Sequence, residues 1–163
     1  MTETDRLVEN ARAYAEGFEG SDLAAPPSKR VAVLACMDAR LIPTRILGLN
    51  EGEAHVLRNA GGVVTQDAIR SLALSQHLLG TEEIVLLHHT ECGMLAVTDE
   101  EFASKLEAET GQRPEWSAHS FSDLEGDVRD SIALLKASPF IPNKDSIRGF
   151  VYDVKTGELT EVS

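Results

Sequence analysis

Apolar side chains recur through the first eighteen positions at helical intervals, with Leu7, Ala11, Tyr14 and Phe18 in one row and Val8 and Ala15 beside it. The stripe predicts an amphipathic helix that Gly17 and Gly20 bring to an end. Ser21 to Lys29, with Pro26-Pro27, reads as a linker. The helix is therefore expected to be an arm that packs on something outside the main core, such as a neighbour in an oligomer.

Beyond the linker the pattern changes. Val31 to Ala35, Glu53 to Leu57 and Ile84 to Leu87 are short, largely apolar runs. They predict strands buried on both faces of a parallel sheet. Between the second and third run, Ile69, Leu72, Ala73, Gln76 and Leu79 fall at helical spacing, with Thr65 as N-cap and Gly80 just past the end. Thr98-Asp99-Glu100-Glu101 and Ser122-Asp123-Leu124-Glu125 fit the capping box, predicting helices that run to Thr110 and Ala137 around a loop at 111–121. The tail reads as a strand from Ile147 to Val154, a turn, and a closing strand from Leu159 to Val162.

Alternating strands and helices imply an α/β fold, with a central, mostly parallel β-sheet flanked by helices and an N-terminal helical arm. The expected organisation is a single domain over residues 1–163, with arm and linker at 1–29 and a catalytic core at 30–163. Ligands of such sheets bind outside the carboxyl ends of the strands, so residues just after a strand are the candidates for chemistry.

Composition narrows the partners. A net charge of −12 disfavours nucleic acid and anionic membrane surfaces, and no apolar run approaches the length of a membrane span. The acidic, polar start lacks the basic and then apolar order of a signal peptide, so a cytoplasmic location is expected. Two cysteines, Cys36 and Cys92, are too few for a disulfide framework and leave metal binding or catalysis to compete with plain burial.

Cys36 follows the first strand, and His89 and Cys92 follow the third. Zinc accepts thiolate and imidazole tetrahedrally, and three protein ligands leave a fourth position open. His88, one residue earlier on a strand, points to the opposite face and is expected to be a packed or surface histidine. Asp38 and Arg40 should share a side with Cys36 if the segment is extended, and an Arg there favours the ionised carboxylate. A plain strand-end ion pair is the competing reading. Gly61-Gly62 reads as a tight turn that serves backbone geometry, that lets backbone approach a small ligand, or that offers amide donors near a helix start to an anionic product. A metal-independent enzyme with Cys92 as nucleophile and His89 as base, and a non-catalytic zinc-binding domain, are the rival readings.

Taken together, "CMDAR" at Cys36 to Arg40, "RNAGG" at Arg58 to Gly62 and "HHTECG" at His88 to Gly93 resemble the β-class carbonic anhydrases. The closing "RGFVYDV" and the N-terminal helix are similar to short bacterial members. The resemblance implies one Zn²⁺ per chain on Cys36, His89 and Cys92, with Asp38 and Arg40 as a dyad and Asp38 able to ligate the metal itself. It implies reversible hydration of CO2 to bicarbonate by a zinc-bound hydroxide, in a homodimer or dimer of dimers with the N-terminal helix on the partner. Two departures touch the substrate pocket: Ala39 stands where Ser is common, and Pro27 stands near where many members carry a Gln. Carbonyl sulfide hydrolases have very similar motifs, so hydrolysis of carbonyl sulfide is the alternative activity.

Overall fold

The computed structural model describes all 163 residues. Helix α1 (Glu3–Glu16) opens on a capping box, with the Thr2 hydroxyl accepting from the Asp5 amide and the Asp5 carboxylate accepting from the Thr2 amide. None of its residues is buried, and Leu7, Val8, Tyr14 and Phe18 stand exposed. The predicted arm is therefore an amphipathic helix whose apolar stripe stays exposed, although the Tyr14 hydroxyl at its end donates to Glu51 of the same chain.

Five strands form one sheet in the order β2-β1-β3-β4-β5: β1 (Val31–Cys36), β2 (Ala54–Asn59), β3 (Glu83–His89), β4 (Ile147–Tyr152) and β5 (Leu159–Val162). The first four run parallel, and β5 returns antiparallel to β4. Side-chain alternation splits the core. Ala32 and Leu34 pack with Leu72, Ile84, Leu86 and Leu135 on one face, while Val33 and Ala35 pack with Leu41 and Leu87 on the other. Helices α3 (Gln66–Leu79) and α5 (Leu124–Ala137) supply Leu72 and Leu135 to the first of these clusters, and α4 (Asp99–Thr110) contributes no buried residue. No helix is long and apolar enough to cross a membrane.

Four expectations need correcting. The second run is not buried on both faces: β2 is the edge strand, hydrogen-bonded on one side to β1 alone, and its Val56 is exposed. The third run extends through both histidines, because His88 and His89 find parallel partners in Val151 and Tyr152. β4 stops at Tyr152, where Asp153 starts a turn closed by Gly157 N–H to Asp153 O. The last capping box does not form as predicted; Asp123, not Ser122, is the N-cap and accepts from Gly126 N–H at 3.0 Å. A one-turn helix, α2 (Pro43–Ile46), is too short for periodicity to reveal, although Pro43 is well suited to its first position.

The register is what builds the site. Cys36 pairs with Asn59 and Ala35 with Leu87, so the carboxyl ends of β1, β2 and β3 lie level along one edge.

Candidate metal centre

At that edge three side chains converge. Cys36 ends β1, His89 ends β3, and Cys92 follows two residues past Thr90; their ligand atoms all lie within 4.8 Å of one another and all three residues are buried. That spread suits a tetrahedral ion with metal–sulfur bonds of about 2.3 Å and a metal–nitrogen bond of about 2.0 Å.

The histidine tautomer supports the fit. His89 Nδ1 lies 2.8 Å from the Thr90 carbonyl, which can only accept, so Nδ1 carries the proton. The Nε2 lone pair is left facing the thiols, and Nε2 is a buried atom with no hydrogen-bond partner. A buried acceptor without a donor is costly, and a metal ion resolves that cost.

The thiols are arranged so that Cys36 loses its proton first. The Cys36 pKa is drawn well below its usual value by the neighbouring Cys92 thiol first, then by His89 and the Asp38 and Gly61 amides, against the cost of burial. Cys92 is raised in turn, chiefly by Cys36 and by burial. The metal-free pair therefore holds one thiolate readily and resists a second. Two adjacent thiolates need a cation between them. Burial opposes a charged His89, but the Cys36 sulfur, the Thr90 carbonyl and Asp38 together leave its pKa raised.

Asp38 and Arg40 meet, though not through an extended segment. The chain turns after Cys36: the Leu41 amide bonds the Asp38 carbonyl at 3.0 Å, and the Arg40 amide bonds Asp38 Oδ1 at 2.9 Å. Arg40 then grips both carboxylate oxygens, Nε to Oδ1 at 3.0 Å and Nη2 to Oδ2 at 2.8 Å. The Asp38 carboxyl is held well below the usual carboxylate range by the Arg40 side chain first and its amide second. Asp38 Oδ2 is 3.7 Å from His89 Nε2, so the ionised group borders the position a metal would take.

The glycine pair works chiefly on backbone. Gly61 and Gly62 have φ of 84° and 71°, and a Cβ on Gly62 would lie 2.8 Å from the Cys36 nitrogen. The absent side chain of Gly62 makes room for β1, and the Gly61 amide favours the Cys36 thiolate. His88 is packed, as expected: Nε2 bonds Asp127 of α5 at 2.7 Å and its ring lies against Phe121.

Some contributing residues carried no individual signal. Arg58 ties down the turn from β2, with Nε on the Cys36 carbonyl at 3.1 Å and Nη2 on the Asp38 carbonyl at 2.7 Å. Asn59 clamps the glycine turn by bonding Val63 through both its oxygen and its nitrogen. The "RNAGG" string was the available cue, without indicating that its Arg reaches back to the first motif. A cavity of about 470 Å³ adjoins these turns, lined by Met37, Ala60, Val63, Met94 and Trp116, with His119 also on its wall.

Fold and site thus define a class: an α/β protein with a buried pair of thiols and one imidazole, able to hold a metal ion, at the carboxyl edge of a largely parallel sheet. Residues 31–159 match the family described as carbonic anhydrase. Beta-carbonic anhydrase 1 of Mycobacterium tuberculosis is 56% identical over 163 residues, covering 100% of this chain and 99% of that protein. The crystal structure of a carbonic anhydrase from Streptococcus mutans superposes with a TM-score of 0.94 at 44% identity, covering 100% of this chain and 99% of that one. A carbon disulfide hydrolase of Saccharolobus solfataricus is 36% identical over 159 residues, covering 82% of this chain and 78% of that protein. The chain belongs to the carbonic anhydrase family, in its β-class, and is an enzyme of that family.

Proposed function

We propose that this protein catalyses the reversible hydration of CO2 to bicarbonate and a proton, with zinc held by Cys36, His89 and Cys92. The observation that carries the reading is the set of donors: two adjacent buried thiols, of which Cys36 ionises readily, and an imidazole nitrogen left without any other partner. Zinc bound there supplies a Lewis acid that lowers the pKa of a coordinated water. Two thiolates offset much of the ion's charge, so the residues around it carry a larger share of the work. Asp38, kept ionised by Arg40, accepts a hydrogen bond from the attacking water and aims it at the substrate carbon.

CO2 is small and apolar and offers the protein little to bind. The apolar walls of Met37, Val63 and Met94 beside the site suit it, and they demand no charged anchor. The reaction also leaves a proton to be carried off. His88 is committed to Asp127, and His55 to Ser75 at 2.8 Å, whereas His119 faces the cavity and is the better carrier. The arm suggests the assembly. An α1 that buries none of its own residues, together with the open edge of β2, supports a homodimer in which a second copy covers Leu7, Tyr14 and Phe18.

A second reading has support from the relatives named carbon disulfide hydrolases and from the same donor set: hydrolysis of carbonyl sulfide or carbon disulfide, which carry the same electrophilic carbon. One zinc-loaded preparation tested on CO2, carbonyl sulfide and carbon disulfide separates the two. Hydration of CO2 well above hydrolysis of either sulfur compound is expected; the reverse order would move the assignment to the second reading.

A further inference from the structure

Arg40 has a second anionic partner that the proposed reaction does not use. Its Nη1, which Asp38 leaves free, points to Glu91 Oε2 at 3.4 Å, and its Nη2 also donates to the Glu91 carbonyl at 3.1 Å. Glu91 is held from behind. Its other carboxylate oxygen pairs with Lys155 in the turn between β4 and β5, where the Lys155 amide is bonded to Asp153 Oδ1 at 2.7 Å. Asp38, Arg40, Glu91 and Lys155 thus form one chain of alternating charge from the metal position to the β4–β5 turn at the same carboxyl edge of the sheet.

Two features distinguish this chain from incidental surface pairing. Glu91 adopts φ 56°, in the left-handed region that non-glycine residues seldom enter, and it does so between the candidate ligands His89 and Cys92. From that position a single residue offers Arg40 both its carbonyl and its carboxylate. The Arg40 side chain is also 46% exposed, and an exposed ion pair alone holds a long, flexible side chain weakly. A second anchor is what would keep its fork aimed at Asp38.

We propose that Glu91, braced by Lys155, is a positioning residue that holds Arg40 on Asp38 and so keeps the Asp38 carboxylate from turning onto the metal. The argument rests on the zinc reading given above. Asp38 Oδ2 is already 3.7 Å from His89 Nε2, so a carboxylate released by Arg40 would be drawn to a cation held there. The two carboxylates bind different guanidinium nitrogens, and Nη2 has a second hydrogen for the Glu91 carbonyl, so the two grips reinforce each other instead of competing.

The sign of the effect separates this role from a merely structural one. A variant that loosens the fold should lose zinc faster; one that frees Asp38 to become an additional ligand should lose it more slowly while also losing activity. The test is to load Glu91→Gln, Lys155→Met and the double variant with zinc, then measure both CO2 hydration and the rate of zinc loss to a chelator. Lys155 is 73% exposed, so its variant should fold even if the Glu91 substitution disturbs the turn.

We expect kcat/KM to fall by about fivefold or less, the reach of one exposed ion pair, with zinc loss slowed in both single variants. The double variant should behave like Glu91→Gln alone, because Lys155 acts through Glu91. Unchanged or faster zinc loss, or additive effects of the two substitutions, overturns the proposal. An unaltered enzyme that binds zinc but does not hydrate CO2 would overturn the proposed function, and the zinc-loss comparison would still decide the brace.

Discussion

His89 owes its place in the site to a hydrogen bond on the side away from the metal position. The Thr90 carbonyl fixes the proton on Nδ1, and only then is Nε2 available as a ligand. Cys36→Ala and His89→Ala are each expected to remove zinc and activity together, checked by metal analysis alongside a CO2 hydration assay. Asp38→Asn keeps the three ligands and loses the ionised acceptor, so zinc should remain while kcat/KM drops about a hundredfold. Full activity in that variant would show that the dyad does no chemistry. The convergence of the three candidate ligands was legible in the sequence because each lies just beyond a strand pattern and strand polarity carries them to one edge. The Asp38–Arg40 pair was legible too, but for the wrong reason: an Asx turn brings the two together, not the alternation of an extended chain. Glu91 was not legible, since its role depends on a left-handed backbone and on a lysine sixty-four positions away.

Among the secondary-structure elements, the glycine turn after β2 and the loop before α5 differ in how sequence reveals them. Gly61-Gly62 reads as a turn, but only the register of β1 on β2 explains why Gly62 must lack a Cβ. Gly62→Ala adds a methyl against the Cys36 backbone at a positive φ, so it should cost about 1 kcal/mol or more and lower Tm. The 111–121 loop has no pattern at all; it is held by Asp99, which accepts from Ser117 and from the amide and hydroxyl of Ser120 at 2.7 and 2.6 Å. The Ser117 hydroxyl first, and Ser120 next, pull the Asp99 pKa down to about 2. A carboxyl depressed in the folded state stabilises above its unfolded pKa of about 4 and loses that contribution as pH falls towards 2. Thermal unfolding of Asp99→Asn should therefore show a lower Tm than the unaltered protein at neutral pH and a smaller difference near pH 2.

For the molecule as a whole, an α/β sheet with helices on its faces followed directly from the alternation of short apolar runs and helical stripes. The edge position of β2 did not, because an edge strand and a central one share much the same residues and differ only in their neighbours. The arm is the converse case: its apolar stripe was evident from the sequence, and the fold leaves that stripe uncovered. If a second copy covers it, replacing Leu7 and Tyr14 with Asp should shift the protein from dimer to monomer in sedimentation. A dimer that survives both substitutions would place the interface elsewhere.

If Cys36, His89 and Cys92 hold a zinc ion on which CO2 hydration depends, hydration must track the zinc content of the protein. The most direct measurement follows hydration by one sample as zinc is stripped by a chelator and then restored. The rate should fall to background as zinc content falls and return at about one zinc per chain. A stripped protein that still hydrates CO2 at the original rate would contradict the claim.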